Sequence, residues 1–277
     1  MAKKPGRPKR DDLFHEKLRA RAAPALAVVR DIRRAIITPV PTGEVRTAVK
    51  GLTGSLFPTM VRDATDDVLL KGGENIAKIG GAVLVGHLKG ARIVSLALEE
   101  RATCPRSCAL WDTCYTNNMP RLVRYRTGPL LEPKLAVEVA QLCRDHDKVL
   151  VRLHISGDFY NLAYVEFWER MLARHAGLHV FGFTAWAGDT PIGAAIAAMR
   201  DAQPNRFAVR TSGRTGKWGS FTLPFPTDRP MIGDAAVCPE QRDAMDGHKR
   251  QTHCGSCGLC WKTGGAATGR PIAFIEH

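Results

Sequence analysis

The chain has 277 residues, 44% hydrophobic and 24% charged, which is ordinary for a soluble globular protein with one large core or one core plus a small appendage. Its longest apolar runs, such as Ile192–Met199, are too short to span a bilayer. The net charge of +13 favours a polyanionic partner, nucleic acid before membrane surface.

The charge is uneven. Residues 1–50 hold thirteen Lys and Arg against five Asp and Glu, so they carry +8 of the +13. The opening Lys3-Lys4-Pro5-Gly6-Arg7-Pro8-Lys9-Arg10 reads as a disordered basic arm. Its Gly-Arg-Pro core resembles an AT-hook, which would lay Arg7, Lys9 and Arg10 along an A·T minor groove; a solvated basic tail is the alternative. No apolar stretch follows it, so no secretory signal is expected and the location expected is the cytoplasm. Disulfides are disfavoured there, and eight cysteines, seven of them in two groups, point to metal.

Asp11 or Asp12 can cap a helix from Leu13 to before Pro24, with a second from Ala25 to Ile37. Pro, Gly and Thr then mark residues 38–60 as a linker, which separates a basic arm with helices (1–60) from an α/β metal-binding core (61–277). Six glycines between Lys71 and Gly90 predict the turns of a small hairpin, since the spacing of a phosphate loop is absent. Arg92–Leu98 is apolar and partly β-branched, a buried strand. A helix follows over Glu132–His146, with Cys143 on its apolar side as a small core residue. The pattern then alternates: strand Lys148–Ser156, helix Leu162–His175, strand Leu178–Thr184, helix Pro191–Arg200, strand Arg206–Arg210. Short links between them predict parallel βαβ units, in a complete or partial β/α barrel or an open doubly wound sheet. Past Ser212 the chain loosens, leaving Ala235–Cys238 and Ile272–Ile275 as further strand candidates.

Two cysteine groups carry the chemistry. Cys104, Cys108 and Cys114 fall within eleven residues just past the Arg92–Leu98 strand. Pro105 cannot donate to a strand ladder, so these thiols are placed on a loop at the strand's carboxyl end, where α/β folds bind ligands. Three thiolates on a four-iron cluster leave one iron open; zinc held by three Cys and His87 or His154 is the alternative, and Cys143 the one spare thiol. The second group lies in a Cys-rich segment, 234–264: Cys238-Pro239, then Cys254, Cys257 and Cys260 at x2 spacing. It resembles ferredoxin-type ligation of a four-iron cluster, with the Cys-Pro before the run instead of after it. Zinc, with His248 or His253 in the shell, is the alternative.

A Cys-rich loop after the first strand of a β/α barrel resembles that of radical S-adenosylmethionine enzymes, whose C-x3-C-x2-C is matched here in its first gap and widened to x5 in its second. That resemblance implies S-adenosylmethionine as cosubstrate. His154, Ser156, Gly157 and Asp158 end the next strand; Gly157 and Asp158 would hold the cosubstrate's amino group, with His154, Ser156 and Asp158 as catalytic candidates. The bland reading is that Ser156 or Asp158 caps the following helix. Thr184 and Ser212 end later strands and would line the same mouth, beside Trp186 as a stacking platform. The chain also resembles a family of phage and plasmid proteins named for a mycobacteriophage gene product. That likeness rests on Leu98-Glu99-Glu100-Arg101-Ala102-Thr103-Cys104-Pro105, Cys114-Tyr115, Val151-Arg152-Leu153-His154-Ile155-Ser156-Gly157-Asp158-Phe159-Tyr160 and Cys257-Gly258-Leu259-Cys260, spans residues 70–277 and implies no activity. The resulting expectation is an iron–sulfur protein of radical S-adenosylmethionine type working on or near nucleic acid, against a zinc- or cluster-stabilised DNA-binding protein of a mobile element without chemistry.

Overall fold

The computed structural model describes residues 50–65, 67–224, 227, 232–245, 252–262 and 270–276. The basic arm with Arg7, Lys9 and Arg10, the two N-terminal helices and His248 lie outside them. The fold is mixed α/β around a sheet of eight strands. In chain order the strands are β1 (Val61–Arg62), β2 (Lys71–Gly72), β3 (Arg92–Ser95), β4 (Arg124–Tyr125), β5 (Val149–Leu153), β6 (Leu178–Thr184), β7 (Phe207–Ser212), β8 (Gly219–Leu223), β9 (Ala236–Val237) and β10 (Ile272–Ile275). The helices are α1 (Leu131–Asp145), α2 (Leu162–Arg174), α3 (Pro191–Ala202), α4 (Pro239–Met245) and the single turn α5 (Cys254–Cys257).

The large sheet runs β2-β3-β5-β6-β7-β8-β10-β9, and β1 pairs with β4 apart from it. Every neighbour pair in it is parallel except β2 with β3. The strands from β3 to β8 therefore end at one edge, the side on which such sheets bind ligands. Among the described residues no helix is long and apolar enough to cross a membrane.

Side chains along the strands alternate between two buried faces. Val94, Val149, Val151, Leu153, Val180 and Val209 pack against α1, α2 and α3, chiefly through Leu135, Trp168, Met171, Ile196 and Met199. Ile93, Leu150, Phe181 and Ala208 point the other way, onto Ile79, Val83, Leu88, Trp218 and Trp261. Residues 76–91 and the C-terminal cysteine segment thus cover the second face, and both faces being dry explains the near-continuous apolar strands. The helices start where caps allow: Asn161 accepts from Tyr164 N at 2.8 Å, and Thr190 from Gly193 N at 3.1 Å ahead of Pro191.

Three expectations are corrected. Asn161, not Ser156 or Asp158, caps α2. Lys71–Gly72 is a strand antiparallel to β3 and not a turn, while the small hairpin of this stretch pairs residues 81–83 with 90–93 around the turn at Gly86. Past Ser212 the chain does not loosen at once: Gly219–Leu223 is a strand, between β7 and β10.

Trp261, 4% exposed and edge-on to Phe181 at 4.9 Å, pins the C-terminal segment to the sheet. Trp261→Ala should cost about 3–5 kcal/mol in urea unfolding; a loss below about 1 kcal/mol would remove this segment from the core.

Candidate functional site

The loop that carries Cys104, Cys108 and Cys114 rests on buried charge. Glu100, 1% exposed, receives Arg124 Nε at 2.6 Å and the Ser156 hydroxyl at 3.0 Å on one carboxylate oxygen. Its other oxygen accepts from Ser55 Oγ at 2.9 Å. Arg124, wholly buried, spends its remaining N–H groups on the carbonyls of Thr116 (2.9 Å), Leu122 (2.6 Å) and Met119 (3.3 Å). Arg101 does the same on the other side, donating to Trp111 O at 3.0 Å and Asn117 Oδ1 at 2.6 Å from a left-handed backbone with φ 65°. Burying such groups costs several kcal/mol per ion, and only this full set of partners offsets it. Between the two arginines the loop is a run of tight turns, Pro105 to Cys108, Cys108 to Trp111 and Cys114 to Asn117.

The three loop thiols line one cavity of about 170 Å³ with His154, Asp158, Thr184 and Ser212. The sequence-predicted residues of the three strand ends are therefore brought together with the loop. Burial, then the neighbouring Asp158, raises the Cys104 thiol; burial pushes Cys108 up to about 11, and each is raised further by Cys114. Burial favours the neutral form of Cys104 and Cys108, and a bound metal would take their protons. Asp158 is pushed up to about 7 by burial, against hydrogen bonds from Ala185 N and Phe159 N, both at 2.7 Å, and from Thr184.

The other predicted residues have structural engagements. Ser156 gives its hydroxyl to Glu100. Gly157, at φ 81°, turns against the loop: a Cβ would stand 2.6 Å from Thr103 Oγ1 and 2.7 Å from Leu98 Cβ. Its missing side chain makes room for the cysteine loop. His154 Nε2 lies 3.1 Å from the Tyr164 hydroxyl, and Nδ1 has no partner among the described residues. Trp186 is a packing residue, tied by Nε1 to Phe159 O at 2.6 Å against the helix-side core. Cys143 sits against that same core, away from the loop, so it is not a spare ligand. His87 edges His179 at 6.2 Å beside Lys148, at the start of β5, away from the carboxyl ends that carry the loop.

The second group converges as well. Cys238, Cys254, Cys257 and Cys260 all line a small cavity of about 20 Å³, with His253 on its wall. Cys254 N bonds Lys78 O at 2.8 Å and Gly255 N bonds Ile79 O at 3.0 Å, which ties α5 to the 76–91 segment. Gly255 allows this approach, since a Cβ would meet Ala82 O at 2.2 Å. Burial pushes Cys254 up to about 11, and burial followed by Cys254 and Cys238 raises Cys260. Lys78, paired with Glu240 at 3.2 Å, and the arginines Arg152 and Arg210 act in the opposite sense.

Among the described residues no three His, Cys, Asp or Glu side chains already form the shell of a single metal ion. The donor sets nevertheless suit a soft, thiolate-bound group: four thiols on one small cavity beside buried cations, and three on a larger one with further room. Arg152, Arg124 and Glu100 were missed as functional residues by sequence reasoning. Only an arginine inside the apolar run Val149–Ile155 signals one of them.

Two outcomes are expected. Glu100→Gln breaks the buried pair with Arg124 and should cost about 3–5 kcal/mol in chemical unfolding, whereas a neutral effect would show that the pair does not hold the loop. Burial also lowers His154 from 6.5 to about 3, so the unfolded chain binds the extra proton. Stability should fall as pH drops from 6.5 towards about 3, and His154→Gln should flatten that slope in urea midpoints measured against pH; an unchanged slope would place the acid sensitivity elsewhere.

No protein-family model, curated protein or solved structure matches the chain.

Proposed function

We propose that the chain is an iron–sulfur protein of radical S-adenosylmethionine type, built on a partial parallel β/α barrel and acting on or near nucleic acid in the cytoplasm. One observation carries the reading: three loop thiols and Asp158 face a single cavity at the carboxyl ends of sequential parallel strands. The order β3-β5-β6-β7-β8, each strand beside its predecessor, supports the barrel. Kinship with the phage and plasmid family belongs to the same proposal. So does nucleic acid as partner, for which the net charge of +13 and the basic arm speak.

Cys104, Cys108 and Cys114 would hold a four-iron cluster with one iron open, and Cys238, Cys254, Cys257 and Cys260 a second. A reduced cluster would supply one electron to the sulfonium of bound S-adenosylmethionine, breaking its S–C5′ bond to give methionine and a 5′-deoxyadenosyl radical, which would become 5′-deoxyadenosine by taking a hydrogen atom from a C–H bond of the substrate or another donor. The chain's own residues bind and orient. Asp158 receives the ammonium group, which restores the carboxylate charge that burial disfavours. The Ala185 and Phe159 amides fix its two oxygens so that the ammonium meets a preset acceptor. Glu100, through Ser156 and Arg124, holds the strand end and the thiol loop at constant separation.

A zinc-stabilised DNA-binding protein without chemistry is the second reading, favoured by His253, whose Nδ1 has no partner among the described residues at the four-thiol cavity. The reconstituted, reduced full chain should cleave S-adenosylmethionine to 5′-deoxyadenosine, detected by chromatography. Cys104→Ala, Cys108→Ala and Cys114→Ala should each abolish this while leaving the C-terminal metal, and Asp158→Asn should weaken binding with the cluster retained. Binding without release of 5′-deoxyadenosine, or no binding, would overturn the reading.

A further inference from the structure

Arg152 is the one charge on β5, on its face away from the helices, in register with Ser95 and Phe181 on its neighbours. It lines the cavity that holds the three loop thiols. Its Nε is shut off from solvent and has no hydrogen-bond partner among the described residues. No carboxylate among those residues pairs with it either, unlike Arg101 and Arg124, which meet Glu100 at 3.7 and 2.6 Å. An arginine N–H shut off from water without a partner costs free energy, and a bound anion is a common remedy. Tyr115, pushed up to about 12 by burial, is neutral and does not supply the charge. The C-terminal thiols lie within electrostatic reach but offer Arg152 no hydrogen bond. Ser212 and Thr222, from neighbouring strand ends, line the same cavity.

We propose that Arg152 is the recognition residue of an oxyanion site in this cavity, receiving the carboxylate or phosphate of a bound small molecule. A planar fork of N–H donors suits either group, and each gives two parallel charge-assisted bonds. Asp158 and Arg152 then give the cavity one acidic and one basic pole, so a ligand carrying both a cationic centre and an acid meets each of them, while an acid alone needs only Arg152. This inference shares the cavity with the proposed function but does not need a cluster.

Two matched pairs of probes test it by calorimetry on the full chain: S-adenosylmethionine against its decarboxylated analogue, and 2′-deoxyadenosine 5′-monophosphate against 2′-deoxyadenosine. The acid-bearing member of at least one pair should bind better, and Arg152→Met should weaken it about 10- to 100-fold while sparing its acid-free partner. Arg152→Lys, which keeps the charge and the stem, should retain part of the preference. Preference in the first pair assigns the site to a carboxylate, in the second to a phosphate. No preference in either pair, no binding of any probe, or an equal loss for both members would overturn the site; equal loss together with loss of the C-terminal metal would make Arg152 a counter-charge only. Nucleotide binding that depends on Arg152, with no S-adenosylmethionine binding, keeps the site and rejects the cosubstrate. Binding of S-adenosylmethionine that is indifferent to Arg152→Met does the reverse.

Discussion

The bond between Glu100 and Arg124 is the constraint on which the site depends. Glu100 follows β3 and Arg124 opens β4; the ion pair, at 2.6 Å and out of water, joins their side chains next to the backbone bonds from Tyr125 N to Ala97 O and from Glu99 N to Tyr125 O. Through Ser156 the same carboxylate reaches the end of β5, and through Arg124 it reaches three carbonyls past Cys114. The 23 residues between Glu100 and Arg124 would otherwise be held only by Arg101 and their own tight turns. Here the loop's thiols are held against the strand ends by a network in which any member left unpaired would carry the full penalty of a desolvated polar group.

The second organising force is charge beneath the sheet. Four thiols of the C-terminal group and the cations Lys78, Arg152 and Arg210 occupy the face away from the helices. Arg210 is fully buried, stacks at 5.3 Å on Trp218 and donates weakly to Cys260 O at 3.5 Å. Lys78 has Glu240 as its partner; thiolates around a metal would offset charge on Arg152 and Arg210 in the same way. The segment is therefore part of the core, with Trp261 as its apolar anchor and the thiols as its polar one.

Much of this was legible in the residues, and the gaps have physical causes. The βαβ rhythm from Lys148 to Arg210 was readable because both faces of those strands are apolar and the helices between them are amphipathic. The cysteine groups were readable by spacing. The strand Gly219–Leu223 was not, because Ser220 and Thr222 face the cavity and break the apolar run. Asn161 was passed over for Ser156 and Asp158, whose side chains turn to Glu100 and to the amides of Phe159 and Ala185. The pairing of Glu100 with Arg124 is tertiary, and no local pattern announces it.

The central claim is that thiolates at both places hold iron–sulfur clusters. Its most direct test is quantitative analysis of iron, acid-labile sulfide and zinc in the anaerobically purified full chain, beside variants with Cys108→Ala or Cys257→Ala. The account predicts iron and sulfide in equal molar amounts that fall, without vanishing, in either variant. Stoichiometric zinc with neither iron nor sulfide would contradict it.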